Sequence, residues 1–202
     1  MKLNHLEFFL TNNPVRAYIQ EKYELPILMN MLTSSAFNSV LEIGCGNGNG
    51  TKLIKKYFNP QQITAIDLDE KMIQIARESG QDKSTSFQVM DASELDFPND
   101  SFDAIFDFCI IHHIPDWKNC IGELKRVLKG GGNLVVEEFS IDTFSGFPGW
   151  LYKPLLRHPY EQMFSTEDFV RHLEHVGFKI QEFKKSNPFK MMKHFFLVAS
   201  VP

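Results

Sequence analysis

The stretch LEIGCGNGNG, residues 41–50, places glycine at every second position from Gly44 to Gly50, directly after an apolar run. Glycine costs backbone entropy, so a turn this rich in glycine indicates that something must approach the backbone closely. A phosphate, a dinucleotide and a nucleoside-like cofactor are three ligands that such a turn could hold. The spacing of the glycines distinguishes among them.

Two of these ligands have motifs that the stretch does not match. A phosphate-binding loop needs GxxxxGK followed by Ser or Thr, and here Lys52 follows Thr51, in the wrong order. A dinucleotide fingerprint needs GxGxxG, and its third glycine is missing in each of the three possible frames. What remains is an acid, Glu42, followed by alternating glycines.

A second stretch, DFCIIHHIPDW (residues 107–117), carries two adjacent histidines, His112 and His113. Histidine titrates near neutrality, so either residue could serve a reaction as a base or as an orienting donor. Both could equally hydrogen-bond a loop. A metal site built from the pair with Glu137 and Glu138 is conceivable on ligand type, but no recognised spacing supports it, and we predict no metal.

The elements that must position these residues alternate between apolar extended runs and helical patterns from residue 39 onward. The predicted strands are residues 39–43, 63–67, 85–90, 102–108 and 133–139, and the predicted helices are residues 51–58, 70–79 and 117–128, the last of which stops at three glycines. This alternation is typical of a parallel α/β sheet. Ligands bind such sheets at the carboxyl ends of the strands, where Gly44, Gly46, Asp67, Asp91 and Phe108 would lie.

The C-terminal part adds one helix and two strands to this pattern. Ser165 is a candidate N-cap for a helix that Gly177 ends. Residues 178–183 and 194–201 then predict an antiparallel pair of strands at one edge of the sheet.

The segment between the fifth strand and this helix, residues 140–164, is rich in aromatic residues and punctuated by glycine and proline. We expect a connection without regular structure, and one that long is usually functional. We predict a lid over the substrate, with Phe147, Trp150 and Tyr152 contacting an apolar or aromatic molecule. The alternative is an aromatic patch that fills the core or joins two subunits.

The order of these motifs resembles that of class I S-adenosylmethionine-dependent methyltransferases. The glycine turn matches the first motif of that family, and AIDLDEKMI (residues 65–73) resembles its second-strand acid. FQVMDASELDFPNDSFDAIF resembles the family's third-strand acid and fourth strand. LKGGGNLVV resembles its turn before the fifth strand, with Gly130 where proline is common, and FSTEDFVRHLEHVGF resembles its late helix. The resemblance covers roughly residues 35–200. It implies a Rossmann-like α/β fold with a seven-stranded sheet, mostly parallel with an antiparallel last strand, and helices on both faces.

The resemblance also implies roles for particular residues, with S-adenosyl-L-methionine as the cofactor. Glu42 would support the methionine end, and Asp67 would accept hydrogen bonds from the two ribose hydroxyls. Asp91 and the Ala92 backbone N–H would bind the adenine, against which Leu68 and Met72 would pack. The full predicted set of cofactor-binding residues is Glu42, Gly44, Cys45, Gly46, Asp67, Leu68, Met72, Asp91, Ala92, Asp107, Phe108 and Arg16.

Residues 1–33 lie outside the alternating pattern and look like two helices broken at Pro26. Arg16, Gln20 and Tyr23 share one helical face, at spacings of four and three residues. We expect a helical cap on a single domain spanning residues 1–202, offering Arg16 to the cofactor carboxylate and Tyr23 to the acceptor side. A solvated surface helix is the alternative.

Two classes of function fit these motifs. The first is a methyltransferase for a small apolar or aromatic acceptor, since His112 and His113 fall where ubiquinone- and menaquinone-type enzymes often have a histidine pair. The second is a cofactor-binding domain that has lost catalysis and acts as a partner or regulatory protein. No cofactor motif looks damaged, which favours the enzyme. Enzymes that methylate DNA amino groups or release-factor glutamine carry Asp/Asn-Pro-Pro-Tyr/Phe after the fourth strand, where this chain has DFCI.

Composition narrows the cellular setting. A net charge of −4 without a run of lysines or arginines argues against nucleic acid as a partner. The three cysteines form no motif, which suggests a reducing compartment. No stretch resembles a signal peptide or a membrane span, so we expect a cytoplasmic protein whose partner is a small-molecule acceptor and whose membrane contact, if any, is peripheral.

Overall fold

The computed structural model describes residue 8 and residues 12–33, 36–79, 83–187 and 193–202. Within these residues the chain forms one seven-stranded sheet with the strand order β3-β2-β1-β4-β5-β7-β6. The strands are β1 (Ser39–Ile43), β2 (Gln62–Asp67), β3 (Thr85–Val89), β4 (Phe102–Phe108), β5 (Leu128–Phe139), β6 (Lys179–Ser186) and β7 (His194–Ser200).

The first five strands pair in parallel, and β7 runs antiparallel to both β5 and β6. This arrangement confirms the predicted mostly parallel sheet with an antiparallel last strand. One boundary differs from expectation, because β5 begins at Leu128, opposite Phe102, and not after the three glycines. Leu128 is already extended where the preceding helix ends, so the glycines lie inside an irregular start of the strand.

Helices cover both faces of the sheet, as predicted. They are α1 (Pro14–Ile19), α2 (Leu25–Met31), α3 (Asn49–Phe58), α4 (Glu70–Glu78), α5 (Trp117–Val127), α6 (Ile141–Phe144), α7 (Gly149–Tyr152) and α8 (Thr166–His175). One buried cluster packs α5 and α8 on the sheet through Trp117, Phe164 and Phe169. A second buried cluster packs α2 and α3 on the opposite face around Phe106. Much of the phenylalanine content therefore builds the core.

The expected break at Pro26 is wrong. The chain is helical from Pro14 to Met31, with a π-helical turn at Gln20–Glu24 directly before α2. Leu25 donates its N–H to the Gln20 carbonyl, five residues back. Because this turn is wider than an α-helical one, it accommodates the proline ring, and Pro26 lies in the first turn of α2, where a missing N–H costs little.

The expectation that residues 140–164 lack regular structure is also wrong. They contain α6, α7 and a 3-10 turn at Lys153–Leu155. Phe144 and Phe164 are buried, so both ends of the segment are anchored in the protein. Among the described residues, no helix is long and apolar enough to cross a membrane.

Candidate functional site

The glycine turn joins β1 to α3 at the carboxyl edge of the sheet. Gly44 and Gly46 both have a positive φ, of 62° and 53°, which side chains disfavour. A Cβ at Gly44 would also lie 2.2 Å from Cγ1 of Ile110, whereas a Cβ at Gly46 would meet nothing within 4 Å. The bare backbone at Gly44 is therefore needed by the fold, and the open space beside Gly46 is available to a ligand.

The carboxylate of Asp67, at the end of β2, fixes this turn. Its Oδ2 accepts a hydrogen bond from the Gly46 N–H at 2.8 Å, and its Oδ1 accepts one from the Asp69 N–H at 2.8 Å. Burial raises the pKa of Asp67, and the two backbone hydrogen bonds partly oppose that rise. The side chain predicted to bind the ribose thus also orders the neighbouring backbone.

A cleft of about 300 Å³ opens between the glycine turn and the residues that follow β2, β3 and β4. Six of the predicted site residues lie in its lining: Gly44, Asp67, Leu68, Asp91, Ala92 and His113. Ile110 and Ile114, on either side of the histidine pair, form an apolar wall of the cleft that no sequence motif indicated. Their position immediately after β4 is a signal that could have identified them.

Asp91 faces solvent at the end of this cleft. Its Oδ1 accepts hydrogen bonds from the backbone N–H and the hydroxyl of Ser93, at 2.9 and 2.6 Å. Oδ1 therefore has local partners, while the exposed carboxylate still offers acceptor capacity toward the cleft.

Glu42 lies beneath the glycine turn and is not in the cleft lining. Its side chain is buried, accepts a hydrogen bond from the Thr51 hydroxyl and occupies the space that a Cβ on Gly50 would need. Burial raises the pKa of Glu42 to about 8, and the charge of Asp67 adds to this rise. Glu42 therefore supports the turn from below, and its burial favours the protonated form of the carboxyl group.

Six other predicted cofactor residues also lie outside the cleft lining: Cys45, Gly46, Met72, Asp107, Phe108 and Arg16. Cys45 packs in a small buried cluster with Ala65 and Phe87 behind the turn. Met72 is buried on α4. Asp107 is fully buried, and Phe108 packs its ring on Phe106 at a centroid distance of 5.9 Å.

The histidine pair belongs to a larger cluster. The ring Nδ1 and the backbone N–H of His112 both face the carboxylate of Glu138 on β5. His113 lines the cleft and has its Nδ1 3.2 Å from the Nδ1 of His158, which comes from residues 140–164. Burial, together with the other two rings, holds the pKa of His113 well below its usual value. Sequence spacing could not have indicated His158.

Two buried carboxyls meet behind this cluster. Burial raises the pKa of Glu138 to about 8. Burial and the neighbouring charge of Glu138 raise the pKa of Asp107 well above its ordinary value. The carboxyl ends of β4 and β5 therefore hold buried titratable groups. Burying such a group is costly unless hydrogen-bond or charge partners compensate for the lost water.

The N-terminal helical segment contacts the glycine turn through Gln20, whose Oε1 accepts a hydrogen bond from Asn49 Nδ2 at 2.7 Å. The guanidinium of Arg16 pairs with Glu24 and lies 3.5 Å from Glu137. Tyr23 is exposed. The structure thus brings Gln20 to the turn, whereas Arg16 faces a buried acidic pair.

The predicted acceptor residues lie on and beside α7. Phe147 and Trp150 are 77% and 57% exposed, so neither fills the core. Tyr152 is the last residue of α7.

The strand order, the reversed β7, the glycine turn after β1 and the acid at the end of β2 agree with the resemblance to class I S-adenosylmethionine-dependent methyltransferases. Comparison with known proteins agrees. Residues 41–136 match the family model described as a methyltransferase domain.

Three similar proteins illustrate this relationship. The 27-O-demethylrifamycin SV methyltransferase of Amycolatopsis mediterranei is 34% identical over 55% of this chain and 42% of its own length. The 2-methyl-6-phytyl-1,4-hydroquinone methyltransferase of Synechocystis sp. is 32% identical over 69% of this chain and 46% of its own length. A solved S-adenosylmethionine-dependent methyltransferase from Aquifex aeolicus shares the fold over 100% of both chains, with a TM-score of 0.75 at 19% identity. This chain spans about half the length of the curated relatives it matches.

The two glycines provide a first test. In Gly46→Ala the strain of a positive φ should cost about 1–2 kcal/mol of the free energy of unfolding. Gly44→Ala has the same strain and adds the overlap with Ile110, which should cost a further 1–3 kcal/mol or so. Urea unfolding of the two variants and the wild type measures this difference. Equal losses would contradict the assigned contact between Gly44 and Ile110.

The raised pKa of Glu42 provides a second test. Between its ordinary value of 4.5 and about 8, the folded protein holds a proton that the unfolded chain releases. This group's contribution to the free energy of unfolding must therefore fall as pH rises through that window, by up to about 1.4 kcal/mol per pH unit, and level off above it. Glu42→Gln should remove this slope in urea unfolding series, while Glu182→Gln, on an exposed residue of β6, should not. Parallel pH profiles for wild type and Glu42→Gln would refute the assignment.

Proposed function

We propose that this chain transfers a methyl group from S-adenosylmethionine to a small apolar or aromatic acceptor. The observation that carries the proposal is the cleft in which the glycine turn, Asp67 and Asp91 meet at the carboxyl ends of the first three strands. Ligands of open α/β sheets bind in this position. Its volume of about 300 Å³ lies at the lower end of the range for small-molecule sites.

The lining fits the chemistry of the cofactor. Each carboxylate oxygen of Asp67 has a second lone pair, so the side chain can accept from two ribose hydroxyls while it holds the turn. Leu68 and Ile114 offer apolar surface for the adenine, and Asp91 with the Ala92 N–H offers an acceptor and a donor to its edge. When bound, S-adenosylmethionine supplies an electrophilic methyl group on a sulfonium.

The acceptor side is proposed from His113 and residues 140–164. His113 is the histidine that lines the cleft, so we place it beside the reacting atom of the acceptor, and His112, turned toward Glu138, as a residue that positions it. The exposed rings of Phe147 and Trp150 are available to an apolar acceptor. The Synechocystis relative is named for a phytyl-substituted hydroquinone, an acceptor of this kind.

Two further expectations belong to this proposal. The bond from Asn49 to Gln20 supports a cap, of which the structure describes residues 12–33. Arg16 pairs with Glu24, and we propose that the remaining donors of its five-donor fork bind the cofactor carboxylate. The three cysteines are free, which supports a reducing compartment, and we propose the cytoplasm.

Asp67→Asn should weaken binding of S-adenosylhomocysteine by about 1–3 kcal/mol, roughly 5- to 150-fold, because an amide offers the ribose one acceptor atom in place of two. Isothermal calorimetry measures the affinity, and thermal unfolding shows whether the turn survives. Asp100→Asn is the matched control, since Asp100 is exposed and lies just before β4, at the opposite end of the sheet. Wild-type protein that binds neither S-adenosylmethionine nor S-adenosylhomocysteine would overturn the proposed function.

Trp150→Ala should raise the Michaelis constant for a lipophilic hydroquinone acceptor while leaving affinity for S-adenosylhomocysteine within about twofold, well under the 1.4 kcal/mol of a tenfold change. The reason is that Trp150 is exposed on α7 and lies outside the cofactor cleft. Transfer of a labelled methyl group to a series of alkyl hydroquinones provides the measurement, with Phe183→Ala on exposed β6 as the control. Identical acceptor kinetics in the two variants would reject a role for α7 in acceptor binding.

A further inference from the structure

Three imidazoles converge at one place in the fold. His112 and His113 lie in the 3-10 turn that follows β4, and His158 reaches them from the segment between β5 and α8. The ring centroid of His113 lies 4.1 Å from that of His112 and 4.5 Å from that of His158. One ring nitrogen from each histidine lies within 4.8 Å of the other two.

The spacing of two of these nitrogens suits a metal ion. Zn²⁺ binds histidine nitrogen at about 2.0–2.1 Å in tetrahedral geometry, so two ligand nitrogens on one ion lie about 3.3 Å apart. The Nδ1 atoms of His113 and His158 are 3.2 Å apart. An ion between the two rings would bind both nitrogens through their lone pairs, at a separation close to the one they already have.

The third histidine has the outer partner that metal-binding histidines usually have. His112 directs Nδ1 at the buried carboxylate of Glu138, so the nitrogen it would give to an ion is Nε2. A carboxylate on the far nitrogen of a ligand imidazole fixes its tautomer and ring orientation. Glu138 also accepts from the His112 backbone N–H at 2.9 Å, which holds the carboxylate in place.

The three imidazoles lie largely out of solvent. His112 and His113 are buried, and His158 is half-buried. The other buried group with ligand-type side chains, formed by Glu24, Glu137 and His194, already has the guanidinium of Arg16 beside it.

We propose that His112, His113 and His158 bind one divalent transition-metal ion of the zinc class, with Glu138 as the outer partner of His112. Three histidines leave one position of a tetrahedral ion open, as in catalytic zinc sites. Because His113 also lines the cleft, the ion would lie beside the cleft. Binding of the ion does not depend on the proposed methyl transfer.

The test is titration of the full-length chain, freed of metal by a chelator, with Zn²⁺ in a calorimeter. We expect one ion per chain. His158→Ala should weaken binding at least about tenfold, the range in which even outer partners act, because it removes a direct ligand. His175→Ala, which removes an exposed histidine of α8, should leave the affinity unchanged.

Two further measurements keep the proposal falsifiable. Co²⁺ as a probe should give the intense visible absorption of a four-coordinate ion in wild type and not in His158→Ala. The affinity of both proteins for S-adenosylhomocysteine reports separately on folding and on the proposed cofactor site. If His158→Ala binds S-adenosylhomocysteine normally and Zn²⁺ as tightly as wild type, or if wild type binds no Zn²⁺, the metal site is wrong, whatever the outcome for methyl transfer.

Discussion

The contact between Asp67 and the Gly46 N–H is the interaction on which the site depends. It joins the end of β2 to the turn that leaves β1, two adjacent parallel strands, and so fixes the backbone at Gly46, which has no side chain of its own. Glycine is required there because of the positive φ and, at Gly44, because of the close approach of Ile110. A turn made this bare for a ligand is inherently loose, and a carboxylate with spare lone pairs orders it without filling the cleft.

The same edge of the sheet concentrates buried acids. Glu42, Asp107, Glu137 and Glu138 are all nearly or fully buried, at the carboxyl ends of β1, β4 and β5. Burial raises the pKa of each. The folded state therefore loses stability at any pH at which these groups must ionise. The aromatic packing around Phe106 and Phe169 on the two faces of the sheet supplies apolar burial that opposes this cost. Such an uneven distribution of polar groups is typical of a functional edge.

Much of this architecture could be predicted from local patterns. Alternating apolar and helical segments predicted the parallel sheet. The residues at the ends of β1, β2 and β3 predicted five of the thirteen residues that line the cleft, because parallel strands bring their carboxyl ends together whatever the loops do. Features that depend on contacts distant in sequence could not be predicted in this way. His158 meets His113 across 45 residues, and Arg16 meets Glu137 across a larger separation. Pro26 was misleading because a π-helical turn, which no residue type specifies, precedes it.

The central claim is that one particular cleft holds the cofactor. The most direct measurement follows backbone amide resonances of isotope-labelled protein during titration with S-adenosylhomocysteine. A second cavity, on the other side of the glycine turn, is lined by Lys52, Lys55 and Phe87, among others, and serves as an internal reference. We expect the largest shifts at Gly44, Gly46, Leu68 and Ala92, with little change at Lys52, Lys55 and Phe87 in the second cavity. Shifts centred on Lys52, Lys55 and Phe87, or no shifts at all, would contradict it.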